Sequence, residues 1–167
     1  HYYEENLFLE KNENNNCHKM NFITGCALLF NMSSLKTIGY FDENIFLYYE
    51  EHDLYKRSLK NGYDIYLVDE AEIIHKGSSG INVEYENEIL LNRSWHYCWS
   101  KFYYFKKNFG YFYGLRKTLP NLIRAIRLYL FSQTKGKKIE SLMHKAEIQG
   151  LISSYFLRKS TRRPEIK

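Results

Sequence analysis

The spacing of apolar residues changes near Glu84. Before it, apolar residues form short blocks bounded by polar residues, at 22–30 and 63–68, which favours buried strands. After it, they recur every three to four residues over 84–157, which indicates helices. The pattern therefore predicts an α/β core over residues 22–80, followed by a mostly helical region.

Capping and turn residues set the ends of the elements in the first half. Ser33 or Ser34 can cap a short helix that Gly39 ends. Residues 51–60 carry acids at their start and bases at their end, as the helix dipole prefers, and Asn61 follows them. We therefore predict a second helix there. The other elements predicted in this half are an aromatic loop and two extended segments, over residues 40–49, 63–68 and 71–75.

Three helices are predicted in the second half, over residues 84–108, 119–131 and 139–157. Pro120 falls in the first turn of the middle helix, where its missing N–H has no helical partner to lose. At 100° per residue the apolar side chains of this helix share one face, and Arg124 and Arg127 lie beside it. These side chains are Leu119, Leu122, Ile123, Ile126 and Leu130.

Polar stretches divide the chain. Residues 1–21 are rich in asparagine and are predicted to form a loop or linker, and residues 77–80 and 158–167 are predicted to be a flexible loop and a frayed tail. Between them, residues 22–83 carry the predicted core. Residues 84–167 form a helical, basic extension.

Charge separates the same two halves. Residues 1–95 hold 8 Lys and Arg against 16 Asp and Glu, whereas residues 96–167 hold 16 against 3. The acidic half suits a metal ion or a hydroxyl substrate, and the basic half suits an anionic surface. Because no nucleic-acid motif is present, amphipathic basic helices favour peripheral contact with a membrane. The apolar face of helix 119–131 would enter the lipid interface, and its arginines would meet the head groups.

The cysteines and the chain start add two further expectations. Cys17, Cys26 and Cys98 are odd in number and widely spaced, which is typical of free thiols in a reducing cytosol. No apolar run approaches the length needed to cross a bilayer. The first residues form neither a signal peptide nor an initiating methionine, so we expect a piece of a longer protein.

Five acids cluster between Gly39 and Arg57. They stand among aromatic and aliphatic residues and are Asp42, Glu43, Glu50, Glu51 and Asp53. Burial beside apolar walls and mutual repulsion both raise the pKa of a carboxyl group, toward the range of a general base. The alternative is an acidic loop leading into a helix, whose dipole favours anions at its start.

The motifs around this cluster follow one another in a fixed order. They are ITGCALLF from residue 23, IGYFDE from 38, FLYYEEHDL from 46, Arg57, NGY from 61 and AEIIHKG from 71. In this order and spacing they resemble the acceptor-side half of family 2 glycosyltransferases, rhamnosyltransferase-like enzymes with a GT-A fold. The resemblance covers residues 22–80, about a third of the chain. It implies an α/β fold, the C-terminal part of a GT-A fold, followed by the helical extension.

The resemblance also implies roles for individual residues. Glu51 stands where the family has its catalytic base, more often Asp, so its carboxylate reaches one methylene further. His75 stands where the family has a residue that helps hold the divalent metal, Mn²⁺ or Mg²⁺. Glu50 and Asp53 would orient the acceptor or the base. Gly25 would let the backbone approach the sugar, the alternative being simple strand packing.

The function implied is inverting sugar transfer from a nucleotide-diphosphate donor to a glycan or lipid-linked acceptor, in bacterial polysaccharide or cell-surface glycan synthesis. The expected location is the cytoplasm, with peripheral contact at the inner membrane face. The family's donor half carries an Asp-x-Asp pair, and this sequence has none. The chain alone would then be an incomplete enzyme. The alternatives are a non-catalytic remnant that binds a membrane or a partner, and an inactive structural fragment.

Overall fold

The computed structural model describes residues 8–12, 16–23, 25–75 and 85–164, with side chains in all but the first stretch. These stretches contain three strands and five helices. In chain order they are β1 (Phe8–Asn12), β2 (Cys17–Met20), α1 (Met32–Ile38), α2 (Glu50–Lys60), β3 (Ile65–Val68), α3 (Glu86–Phe109), α4 (Tyr111–Thr134) and α5 (Lys138–Tyr155). They belong to two compact units: a first unit within His1–Asp42 and Glu51–Gly77, and a second unit within Glu43–Glu50 and Ser78–Lys167.

The expected α/β core, the C-terminal part of a GT-A fold, was wrong. Helices dominate the described residues, and the three described strands form one small antiparallel sheet in the order β1-β2-β3. An α/β core requires parallel strands that are buried on both faces. Here the central strand β2 buries only Met20, and Tyr66, Leu67 and Val68 of β3 are exposed, so the sheet has no such buried centre.

The predicted strand over residues 22–30 is absent from the part of this segment that the structure describes, residues 22–23 and 25–30, where the chain makes a turn and no apolar side chain is fully buried. Leu29 is fully exposed. Residues 71–75, predicted to be extended, likewise have no regular secondary structure. The predicted loop 77–80 lies outside the described residues.

The sheet instead includes residues 8–12 and 17–20, which were predicted to be loop. β2 is its central strand and pairs antiparallel with β1 and with β3. Two side-chain contacts join β2 to the residues that flank β3: a hydrogen bond of 2.8 Å between His18 and Asp69, and an ion pair of 2.7 Å between Lys19 and Asp64. Backbone pairing and opposite charges thus form strands where the apolar pattern is weak.

The first two helices agree with the sequence prediction, apart from one cap. α1 ends at Gly39, whose φ of 85° lies in the region that favours glycine. Its N-cap is Asn31 rather than Ser33 or Ser34, since the Asn31 side chain accepts hydrogen bonds from both serine N–H groups, at 3.0 and 3.2 Å. The aromatic loop over 40–49 and the helix α2 are confirmed.

The second unit is a bundle of α3, α4 and α5, which confirms the predicted helical region. Its core joins aromatic residues of α3 to small and aliphatic residues of α5. The buried residues are Leu91, Trp95, Cys98, Trp99, Phe102, Ala146 and Leu151. No helix in the described stretches is both long and apolar enough to span a bilayer.

α4 is longer than predicted and begins at Tyr111 rather than Leu119. Pro120 therefore lies inside the helix, not in its first turn. The helix tolerates it because Pro120 and Arg116, whose carbonyl would have accepted the missing hydrogen bond, are both exposed to solvent.

The tail was predicted to be frayed, but residues 158–164 pack on α3. The Trp99 indole N–H donates to the Arg158 carbonyl at 3.0 Å. The buried His96 ring lies between the Arg162 carbonyl, 2.9 Å from Nε2, and the Ser160 hydroxyl, 3.0 Å from Nδ1. Buried polar partners hold this segment despite its basic composition.

Candidate functional site

The first turns of α2 place Glu51 and Tyr55 on one face, because residues four apart on a helix are neighbours. The helix starts directly after Tyr48 and Tyr49, which have positive φ values of 64° and 69°. Such values are uncommon for bulky residues and occur often at functional sites.

Gly25 lies directly against the Glu51 carboxylate. A Cβ added to Gly25 would be 2.9 Å from Glu51 Oε1 and 3.4 Å from its Cδ, too close for an undisturbed contact. The φ of Gly25 is outside the left-handed region, so a larger residue here would act by displacing the Glu51 carboxylate rather than by straining the backbone. The structure thus brings together two residues that the sequence singled out.

The second oxygen of this carboxylate is buried and unsatisfied. Glu51 Oε2 and the Tyr55 hydroxyl have no hydrogen-bond partner among the described residues. Most buried polar atoms in proteins are paired, and the exceptions are often found at catalytic or ligand-binding positions. Glu51 therefore has a buried acceptor oxygen whose hydrogen bond the described residues do not supply.

Tyr55 and His52 both lie close enough to Glu51 to respond to its negative charge. Burial, reinforced by the negative charge of Glu51, raises the pKa of Tyr55. Burial lowers the pKa of His52, although Glu51 opposes this effect. The Phe22 ring covers both, 4.2 Å from the His52 ring and 5.7 Å from the Tyr55 ring between centroids. At neutral pH the carboxylate thus has no cationic neighbour among these groups.

Asp53 is in a different environment. It is fully buried, and its Oδ2 accepts a hydrogen bond of 2.9 Å from Arg57 Nε in an ion pair. The Arg57 guanidinium also donates to three backbone carbonyls, those of Ile38, Gly39 and Tyr40, at 2.6, 2.9 and 2.7 Å. Asp53 and Arg57 together fix the turn before Asp42 against α2. An orienting effect of Asp53 on a substrate would act through this turn.

The structure does not bring the remaining predicted residues to Gly25. Glu50 is the first residue of α2 and is partly buried, and adjacent helix residues project in different directions. His75 is exposed, beyond β3. The described residues contain no group of three or more His, Cys, Asp or Glu that could bind a metal. The Mn²⁺ or Mg²⁺ site at His75 stays a prediction, and the reaction below does not use it.

Comparison with known proteins adds no identification. We found no significant match to this chain among protein-family models, curated proteins or solved structures. The family resemblance around Glu51 therefore remains a prediction that depends on the residues themselves.

Sequence reasoning did not select four residues that complete this region: Phe22, His52, Tyr55 and Arg57. A signal for two of them was present. Tyr55 follows Glu51, and Arg57 follows Asp53, by four residues on a predicted helix, the spacing of side-chain neighbours. Phe22 comes from a segment whose path the sequence does not predict.

Proposed function

We propose that this chain provides the acceptor side of a sugar-transferring enzyme, with Glu51 as the general base. The observation that carries the proposal is the Glu51 carboxylate. One of its oxygens lies against Gly25, and the other is buried with no partner among the described residues. A general base needs such an acceptor within hydrogen-bond reach of the hydroxyl that it deprotonates.

In this reaction an acceptor hydroxyl donates a hydrogen bond to Glu51 Oε2. The carboxylate takes the proton as the hydroxyl oxygen attacks the anomeric carbon of the donor sugar. The bond from that carbon to the diphosphate oxygen breaks, and its electron pair leaves with the nucleoside diphosphate. Attack opposite the leaving group inverts the anomeric centre.

The residues around Glu51 support this role. Tyr55, whose pKa burial raises, keeps its proton and can donate a hydrogen bond to the acceptor oxygen. His52, whose pKa burial lowers, stays neutral and leaves the carboxylate free to accept a proton. Gly25 leaves space beside Oε1 that any side chain would take.

The substrate classes are those that the resemblance of the motifs around Glu51 to family 2 glycosyltransferases implies. The donor is a nucleotide-diphosphate sugar, and the acceptor is a glycan or a lipid-linked saccharide. The acidic character of residues 1–95 suits a neutral hydroxyl acceptor better than an anionic one.

The test is Glu51→Gln in the intact protein, because glutamine keeps the shape and cannot act as the base. Release of nucleoside diphosphate is measured with a panel of UDP-, GDP- and dTDP-sugars and saccharide acceptors. Turnover should fall by roughly 10² to 10⁴ while donor binding changes little. Glu140→Gln makes the same chemical change at an exposed position on α5 and should leave turnover unchanged.

Near-normal transfer by the Glu51→Gln protein would remove Glu51 as the base. The role would then pass to Glu50 and, after it, to Asp53. No turnover by the wild-type protein with any donor would favour the alternative, a non-catalytic binding remnant.

A further inference from the structure

Helix α4 exposes an apolar stripe along its whole length. At 100° per residue these side chains point away from the bundle, and each is between 40 and 84 % exposed. The stripe, called the outer face below, consists of Phe112, Leu119, Ile123, Ile126 and Leu130. Five large apolar side chains of a helix rarely stay in water without a partner surface.

The packing of the opposite side keeps the outer face in solvent. Gly114, Thr118, Ala125 and Ser132 point into the bundle and are buried. A Cβ on Gly114 would lie 3.0 Å from the Phe102 ring, so α4 approaches α3 closely at this position. Since only small residues fit there, α4 cannot rotate to bury its larger side chains.

The surroundings of the outer face are basic. α4 contains no Asp or Glu, and the exposed Arg116 and Arg127 lie on one edge of the stripe. Arg124 is further round the helix and pairs with Glu147 of α5 at 3.1 Å. An open apolar cavity of about 830 Å³ includes part of the stripe, together with Arg124 and Arg127. The acyl chain of a lipid matches the apolar part of this lining, and the phosphate of the lipid head group matches the arginines.

We propose that α4 lies flat on an anionic lipid surface, with its outer face in the boundary between head groups and acyl chains. Arg116 and Arg127 then contact lipid phosphates. A helix with one apolar face, flanking arginines and no acids has the composition of an interfacial helix. From Phe112 to Leu130 the stripe is about 27 Å long, at 1.5 Å per residue, so it suits an extended planar surface.

Charge also favours lipid over a second copy of this chain. In a two-fold dimer the same patch meets itself, which would bring the arginines of two outer faces together. Residues 96–167 hold 16 Lys and Arg against 3 Asp and Glu, so this part of the chain, which contains α4, offers few acids to neutralise them. An anionic bilayer supplies the missing opposite charge.

The experiment is co-sedimentation of the 167-residue chain with vesicles of phosphatidylcholine alone or mixed with phosphatidylglycerol. The chain should bind the anionic vesicles more tightly, and added salt should weaken binding. The double variant Ile123→Ser/Leu130→Ser should weaken binding by roughly tenfold or more, because two side chains lose their transfer into the interface. Arg116→Gln/Arg127→Gln should lose about fivefold per charge on anionic vesicles only.

Leu29→Ser is the matched control, because Leu29 is fully exposed but lies outside α4. It should bind like the wild type, and circular dichroism should show that every variant keeps its helix content. Equal binding to neutral and anionic vesicles, or unchanged binding by Ile123→Ser/Leu130→Ser, would overturn the proposal. So would a lipid-free dimer, detected by light scattering, that this variant dissociates. None of these readouts needs sugar transfer, so they are independent of the role of Glu51.

Discussion

Glu51 and Asp53 are two residues apart on α2, yet their surroundings give them different chemistry. The Asp53 carboxylate is neutralised by Arg57, which is fixed in turn by three carbonyls. The Glu51 carboxylate has aromatic neighbours and an unsatisfied buried oxygen. At the scale of single residues, the acidic cluster thus separates into a structural ion pair and a candidate base.

Asp53→Asn should destabilise the protein by about 3 kcal/mol or more, because it leaves the Arg57 guanidinium without its buried counter-ion. The contrasting variant is Glu140→Gln, which breaks an exposed pair with Lys137 and should cost less than about 1 kcal/mol. Urea unfolding followed by far-UV circular dichroism measures both. If both variants lost the same free energy of unfolding, the buried ion pair between Asp53 and Arg57 would not contribute as proposed.

Gly25→Ala should lower turnover of the intact protein by about tenfold or more, because the new methyl group displaces Glu51 Oε1. Stability should change little, since Gly25 is exposed and its φ is compatible with alanine. A double-mutant cycle shows whether the effect passes through Glu51. Gly25→Ala added to Glu51→Gln should cause no further loss, and an additive loss would mean that Gly25 acts by another route.

At the scale of elements, local signals predicted the helices well. The acids and bases of α2 and the apolar period of α4 are properties of neighbouring residues, and both helices form. The sequence did not predict the start of α4, because residues Tyr111–Thr118 mix aromatic, small and basic types. In this mixture the apolar residues do not recur every three to four positions. The small residues are necessary where α4 meets α3, a contact that the sequence does not specify.

The strands were harder to predict because their partners are distant in sequence. β1 and β2 include several polar residues, and side-chain contacts from His18 to Asp69 and from Lys19 to Asp64 support the sheet. Conversely, residues 22–30 are apolar but find no strand partner. The candidate site was predictable in part: Glu51 and Gly25 were selected and lie together, whereas Phe22 depends on the tertiary path of its segment.

Gly150→Ala should destabilise the second unit by several kcal/mol. A Cβ at this position of α5 would clash with the Trp95 carbonyl and lie 3.3 Å from the Trp95 Cα. Because these are backbone atoms, relieving the clash would require α3 and α5 to shift, which costs free energy. Gln149→Ala, at the exposed neighbouring position, should have little effect. Because Trp95 and Trp99 are the only tryptophans of the chain and both lie in this unit, fluorescence reports its unfolding. If Gly150→Ala left the stability of the second unit unchanged, this result would contradict the close approach of α5 to α3.

At the scale of the whole molecule, the second unit concentrates positive charge and still buries a histidine. His96 is fully buried beside Trp95 and Phe46, with ring centroids at 4.8 and 4.9 Å. Burial lowers the pKa of His96, the Arg162 carbonyl opposes the shift, and the positive charges of Arg163 and Arg162 add to it. The folded unit therefore holds His96 neutral, whereas the unfolded chain protonates it at an ordinary pKa.

This difference predicts that stability falls as the solution is acidified. Below about pH 6.5 the unfolded chain binds a proton that the folded unit does not, so the free energy of unfolding decreases with decreasing pH. The slope from one histidine is at most about 1.4 kcal/mol per pH unit. It should appear between pH 6.5 and the lowered pKa of His96, and disappear above pH 7.5. Urea unfolding at constant ionic strength, followed by tryptophan fluorescence, measures this slope directly.

His96→Gln isolates the contribution of this histidine, because glutamine can still donate to the Arg162 carbonyl but does not titrate. The variant should be less stable than the wild type at pH 7.5, since its amide packs poorly against the Trp95 ring. Its stability should nevertheless depend less on pH between 7.5 and 5.5. If the variant kept the full wild-type slope, His96 would not be the group whose protonation opposes folding, and another titrating group would have to account for the acid sensitivity.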